Sequence, residues 1–203
     1  MIGIIDYEAG NIASVTNALN RLNVNFTVTN ELEKLGHCDG YIFPGVGHAY
    51  SAMRSLDEHN LTNWMKDIKK PLLGICLGMQ LLFEESEEGS STGLGVIPGR
   101  LRKFDSNHGK VPHMGWNTFT DIADHNLLRG IQRDDYFYYV HSYYAPVNRY
   151  SLATSDYLNT FASVVANNNF LGVQFHPEKS GNTGEHLLSN FLTIVKDSSS
   201  VTV

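Results

Sequence analysis

The chain has 203 residues, 42% hydrophobic and 18% charged, a balance that excludes intrinsic disorder and allows one well-filled core. Fifteen Lys and Arg against 21 Asp and Glu give a net charge of −6, the wrong sign for a protein that binds nucleic acid by neutralising phosphates. Two cysteines, Cys38 and Cys76, are too few for a disulfide scaffold, and no apolar run approaches the ~20 residues of a membrane helix.

The expectation is therefore one domain over residues 1–203, in a reducing cytoplasm, with neither membrane nor nucleic acid as partner. The apolar start ends in Asp6 and has no basic stretch before it, so no signal peptide is expected. Residues 2–6 suit a strand buried on both faces. Ile12, Val15, Leu19 and Leu22 follow at helical spacing and predict a helix over 11–22. Residues 26–29 and 40–43 read as strands, the second stopped by Pro44-Gly45-Val46-Gly47. A helix is predicted over 48–70 with a break near Asn60, then a strand over 71–75 and a helix over 77–85. This βαβα alternation implies a parallel sheet with helices on both faces. Further on, 96–104, 110–116, 136–141, 160–166 and 170–175 are strand-like and punctuated by Gly and Asn, which predicts antiparallel hairpins. An amphipathic helix over 184–195 closes the chain, and 197–203 are expected to fray.

Gly74-Ile75-Cys76-Leu77-Gly78 falls between a predicted strand and a predicted helix. It has the pattern of a nucleophile elbow, in which small residues two positions either side allow a sharp turn. The turn puts the thiol at a helix N-terminus, where free N–H groups favour the thiolate, the nucleophilic form. A general base is offered 100 residues later by Gly172-Val173-Gln174-Phe175-His176-Pro177-Glu178. Pro177 biases His176 towards an extended conformation, in which residues two apart point the same way, so Glu178 can orient the ring. Pro44-Gly45-Val46-Gly47 after its own strand offers backbone N–H groups to an oxyanion, with Val46 and Leu77 the natural pair.

Gly74-Ile75-Cys76-Leu77-Gly78-Met79-Gln80 with His176-Pro177-Glu178 resembles the class I glutamine amidotransferases. Within them the chain is similar to the glutaminase subunits of imidazole glycerol phosphate synthase. Asp6-Tyr7 with Gly10-Asn11, Pro44 to His48, Val111 to Asn117, Tyr139 to Tyr143 and Gln174 to Ser180 carry this narrower likeness. The resemblance implies a Rossmann-like, mostly parallel α/β sheet flanked by helices, with an antiparallel extension in the C-terminal half. It implies a Cys76–His176–Glu178 triad that hydrolyses glutamine to glutamate and ammonia. By family position, Gly45, Gly47, Gln80, Glu88, Ser142 and Tyr143 are candidates to hold the substrate. Glu88 would take its ammonium group, and the Ser142 and Tyr143 backbone its carboxylate. Glu8 stands where the family pattern has a glycine, which bears on contact with a partner.

The implied partner is a (β/α)8-barrel cyclase that uses the ammonia to form imidazole glycerol phosphate and an aminoimidazole carboxamide ribonucleotide in histidine synthesis. Asn11, Trp116, Asn117, Tyr138 and Lys179 are the candidates for that interface, with a partly exposed Trp116 as anchor. No P-loop, no dinucleotide fingerprint and no paired histidines at ligand spacing occur, so neither cofactor nor metal is expected. Similar chains also serve other acceptor pathways, such as surface-sugar amination. A non-catalytic binding module on the same fold predicts loss of a triad residue, and all three are present.

Overall fold

Apolar runs become strands, and the sequence alternation becomes layers. The structure is a computed structural model that describes residues 1–8 and 11–200; Gly10 of the opening motif and residues 201–203 lie outside them. The first part alternates strand and helix: β1 (Ile2–Ile5), α1 (Ile12–Arg21), β2 (Phe26–Thr29), α2 (Leu32–Gly36), β3 (Gly40–Gly45), α3 (Ala49–Glu58), α4 (Leu61–Asp67), β4 (Leu72–Cys76) and α5 (Leu77–Gln80). The rest is strand-rich: β5 (Phe83–Ser86), β6 (Ser91–Thr92), β7 (Ile97–Lys103), β8 (His113–Asn117), β9 (Asp121–Ile122), β10 (Phe137–His141), β11 (Tyr143–Tyr144), β12 (Ser151–Asp156), β13 (Thr160–Asn167) and β14 (Phe170–Val173), closed by α6 (Gly181–Ser200).

The main sheet has eight strands in the order β2-β1-β3-β4-β14-β13-β12-β9. Pairing is parallel from β2 through β14 and antiparallel from β14 to β9. Short sheets carry the remaining strands, β10 with β8 and β11-β7-β5-β6. The expected parallel sheet with an antiparallel extension is thus present. Ile4, Val15, Leu19, Ile42, Leu73, Leu187 and Phe191 pack on one face, beneath α1 and α6. Ile5, Phe43, Leu56, Met65 and Leu72 pack on the other, beneath α3 and α4. Each such buried Leu, Ile or Phe contributes about 1.5–3 kcal/mol.

The structure departs from expectation in several places, and α2, β6, β9 and β11 also lie where no element was predicted. The helix predicted over 77–85 stops at Gln80, because Leu81, Leu82 and Phe83 are consecutive buried residues and suit a strand. Leu94 N–H donates to Leu81 O and Ile97 N–H to Leu82 O, drawing this segment into the small sheet with β7. Strand β12 was not expected, since Ser151–Asp156 is mostly polar. The closing helix runs from Gly181 to Ser200, so residues 197–200 are helical, where fraying was expected. The predicted break near Asn60 is present, with Asn60 in the left-handed region at φ 57° between α3 and α4.

Backbone contact locks α5 onto the sheet. A Cβ on Gly78 would stand 1.8 Å from the carbonyl oxygen of Phe43, and one on Gly74 would stand 2.7 Å from Met79 N. Gly78→Ala is expected to lower stability by more than about 3 kcal/mol, because the clash is with backbone. Gly36→Ala, where an added Cβ meets nothing within 4 Å, is expected to change it by less than about 1 kcal/mol. Urea unfolding of the two variants checks both.

Candidate active site

The elbow forms as the glycines require. Cys76 ends β4 with φ 53° and ψ −107°, and Leu77 opens α5. A side-chain-bearing residue in that region costs about 1–3 kcal/mol, which the packing of Gly74 and Gly78 must impose. Leu77, as the first residue of the helix, has an N–H without an intrahelical acceptor. Gly45 is register partner of Cys76 across β3 and β4, so the Val46 loop leaves the sheet beside the nucleophile. Tyr7 holds that loop: its hydroxyl donates to the Pro44 carbonyl at 2.8 Å. Burial, with the Cys76 charge adding to it, pushes the Tyr7 hydroxyl well above its ordinary pKa, so it stays a donor.

His176 follows β14, the parallel neighbour of β4, and this adjacency brings the two halves of the candidate triad together. His176 is extended (φ −101°, ψ 93°) as Pro177 predicts, but Pro177–Lys179 then forms a 3-10 turn. The pairing survives the turn. His176 Nδ1 donates to Glu178 Oε1 at 2.8 Å, with both side chains buried. Burial alone would lower the basicity of the ring. The hydrogen bonds and negative charges of Cys76 and Glu178 outweigh it and hold the His176 pKa well above the usual imidazole range. Glu178 Oε2 is buried with no hydrogen-bond partner among the described residues, which strengthens the pull of the carboxylate on a charged ring.

A pocket of about 320 Å³ opens over the elbow. Cys76, His176, Val46, Leu77, Gly47, Gln80, Glu88, Ser142, Tyr143 and Lys179 all line it, so the catalytic and substrate candidates largely converge. Gly45 lies behind the lining, where an added Cβ would meet Tyr7 Oη and Gly78 N. Gln80 builds the wall: its amide nitrogen donates to Tyr143 O at 3.0 Å and to Gln174 Oε1 at 2.9 Å. Glu88 lines the pocket and also caps α3, accepting the Ala49 N–H at 2.7 Å. A larger hollow, about 680 Å³, lies at the opposite edge between Met1, Val24, Leu192 and Lys196. It is remote from the elbow.

Gln174 and Tyr7 were not singled out from sequence. Gln174 is fully buried and its amide donates to Cys76 Sγ at 3.8 Å, while Val140 O stands 3.7 Å from the same sulfur. Gln174 stands two residues before His176, the one local sign of its place.

Three of the partner-interface candidates, Trp116, Asn117 and Tyr138, lie on the β8–β10 ribbon, and Asn11 and Lys179 lie outside it. Trp116 is 56% exposed and makes an edge-on contact with Tyr138, and Met114 beside them is also exposed. Asn117, one residue on, turns inward and donates to Asp156 O. Asn11 caps α1 by accepting from Ser14 N–H, and Lys179 is exposed at the pocket rim. Glu8, in place of the expected glycine, adopts the glycine-like φ of 63°. Among the described residues no group of three or more His, Cys, Asp or Glu is arranged to hold a metal ion, and no helix is long and apolar enough to cross a membrane.

Replacing Glu178 by Gln removes the charge but keeps an acceptor. The His176 titration midpoint, followed by NMR, is expected to move down, because one of the two groups raising it is neutralised. Turnover of glutamine is expected to fall by about 10²- to 10⁴-fold with it.

The family model for glutamine amidotransferase class-I matches residues 3–195. The imidazole glycerol phosphate synthase subunit HisH of Bacteroides fragilis is 44% identical over 195 residues, covering 95% of this chain and 99% of that one. Its namesake in Halalkalibacterium halodurans is 48% identical over 208 residues, covering 97% of each. Among solved structures, a putative GMP synthase protein from Thermoplasma acidophilum gives a TM-score of 0.74 at 18% identity, over 98% of this chain and 96% of that one. That last likeness speaks to the fold alone. Matched over residues 3–195 by the model and sharing 44% and 48% of aligned residues with two such subunits, the chain belongs to the class I glutamine amidotransferase family.

Proposed function

We propose that this chain, acting as one amidotransferase domain, hydrolyses glutamine and passes the ammonia to a (β/α)8-barrel cyclase that makes imidazole glycerol phosphate in histidine biosynthesis. The observation that carries the chemistry is the convergence of Cys76, His176 and Glu178 on one pocket. The likeness to the HisH subunits carries the choice of acceptor. The free thiols of Cys38 and Cys76 suit a reducing cytoplasm.

The Cys76 thiolate attacks the side-chain amide carbon of glutamine, and the carbonyl oxygen becomes an oxyanion facing the Val46 and Leu77 N–H groups. His176 gives its proton to the amide nitrogen, the C–N bond breaks, and ammonia leaves a thioester on Cys76. Water then attacks the thioester while His176 takes its proton. Glutamate leaves, and the thiolate and imidazolium are restored. Glu178 keeps the ring oriented and favours its charged form throughout. Glu88 and the Ser142–Tyr143 backbone hold the two ends of the substrate.

Trp116, Met114 and Tyr138 form an exposed aromatic and apolar patch on the outer face of the ribbon, and they are our candidates for the cyclase contact. Strand β10 joins this patch to the site: Tyr138 O accepts from His176 N–H, and Tyr138 N–H donates to Ser180 Oγ.

Glutamate release by the purified chain, measured alone and then with the cyclase and its ribonucleotide, tests the reading. A rise confined to the full mixture is expected, whereas release indifferent to the cyclase redirects the search to another acceptor. Cys76→Ala is expected to cut glutamine-dependent synthesis by at least about a thousand-fold while ammonia-dependent synthesis by the partner persists. Trp116→Ala is expected to weaken partner binding by about 10- to 100-fold with an unchanged melting temperature, read by calorimetry and thermal unfolding.

A further inference from the structure

Two buried histidines take no part in the chemistry above. His113 on β8 and His141 on β10 are register partners across the ribbon, and both are buried. Nδ1 of His141 lies 2.8 Å from the carbonyl oxygen of Tyr143. A carbonyl only accepts, so His141 carries its proton on Nδ1 and accepts at Nε2. Nδ1 of His113 lies 2.9 Å from that Nε2 and must donate to it. This leaves His113 Nε2 as an acceptor, and the Asn117 amide nitrogen stands 3.4 Å away to donate. One assignment of protons fits every contact, and it runs one way, from Asn117 through His113 and His141 to Tyr143. Burial keeps both rings neutral, pushing His113 down to about 4 and His141 to about 3. Tyr157 stacks on His113 at 4.2 Å, and Phe104 lies against His141, so neither ring is free to turn.

The chain ends in the glutamine pocket. Phe104 N–H donates to Ser142 O at 3.0 Å, so the adjoining pair of Tyr143 with Lys103 is one in which the backbone groups turn away from the neighbouring strand. Tyr143 C=O and N–H therefore share the side that faces His141 and Gln80. The carbonyl takes both of their hydrogen bonds. The N–H emerges beside it, at the wall that Tyr143 shares with Cys76.

We propose that His141, held by His113, is a positioning residue for substrate binding: it clamps the Tyr143 carbonyl and thereby aims the Tyr143 N–H at the α-carboxylate of glutamine. This rests on the reading of Tyr143 as part of the carboxylate cradle. It gives the Pro112 to Asn117 segment a second task, since its outward residues form the exposed patch while its inward ones support the substrate wall.

Nitrogen-15 NMR of the unaltered chain tests the proton assignment without any substitution. His113 and His141 are expected as neutral Nδ1–H tautomers between about pH 5.5 and 8.5, and an Nε2–H tautomer at His141 overturns the proposal. Function is tested with two reagents for Cys76, with the cyclase and its ribonucleotide present throughout. One is 6-diazo-5-oxo-L-norleucine, which has the amino and carboxylate groups of glutamine; the other is iodoacetamide, which has neither. His141→Phe keeps the ring volume without the donor, and His141→Asn keeps an N–H near the Nδ1 position. His141→Phe is expected to raise the half-saturating concentration of the glutamine analogue about tenfold, with its maximal rate and the iodoacetamide rate within about twofold of the unaltered chain. His141→Asn is expected to restore most of the affinity. An unchanged half-saturating concentration in His141→Phe, or equal slowing with both reagents, overturns the proposal. If the unaltered chain reacts with iodoacetamide but is not saturably inactivated by the analogue, the glutamine reading itself fails and takes this proposal with it.

Discussion

The site depends on a bare Cα at position 78. With no side chain there, helix α5 settles until its backbone touches the Phe43 carbonyl, and Gly74 makes the matching allowance on β4. That contact forces the chain to reverse at Cys76, which takes a left-handed φ that a cysteine would not choose. Sulfur, the first helical N–H and the Val46 loop then meet over the C-terminal ends of β3 and β4. The sheet supplies the rest. Because β14 lies parallel to β4, the segment that follows it emerges at the same edge and delivers His176 to the thiol. A reversed β14 would have put the histidine at the opposite edge.

Around this frame the polar groups are committed in advance. Both hydrogens of the Gln80 amide nitrogen go to the protein, one to Gln174 and one to Tyr143. Gln174 in turn donates to Cys76 Sγ. Tyr7 fixes the carbonyl that precedes the Val46 loop, and Glu88 fixes the helix that follows it. Groups held this way need little rearrangement as charge develops, which is the source of electrostatic catalysis. The single buried side-chain oxygen left without a partner among the described residues is Glu178 Oε2, on the carboxylate that bonds the His176 ring.

What was legible in the sequence was what is local. The two glycines of the elbow sit two residues from Cys76, Glu178 sits two residues from His176, and Pro177 biases the residue before it. Each of these relations lies within one turn or strand, and each is present. The parallel half was legible for the same reason, since buried strands are continuous apolar runs. Strand β5 was hidden because Phe83 to Ser86 acquires its partners from β7, about 15 residues away, and β12 because its core-facing positions are small or hydroxylated. Gln174 and Tyr7 act across separations of 98 and 37 residues. The resemblance named Trp116 and Asn117 together, but neighbours on a strand face opposite ways: Trp116 is exposed, and the Asn117 amide lies 3.4 Å from His113.

If Cys76 is the nucleophile we propose, its left-handed backbone sets catalytic power against thermodynamic robustness. A glycine would sit at φ 53° without the penalty a cysteine bears, so the residue the backbone prefers is the one that cannot react. Selection for stability alone would erode this position first. Alanine relieves nothing, because its Cβ is strained in the same way, so it removes the sulfur while the tension in the turn remains. A screen that rewards heat tolerance without monitoring turnover would thus drift towards a sturdier, inert relative of this chain.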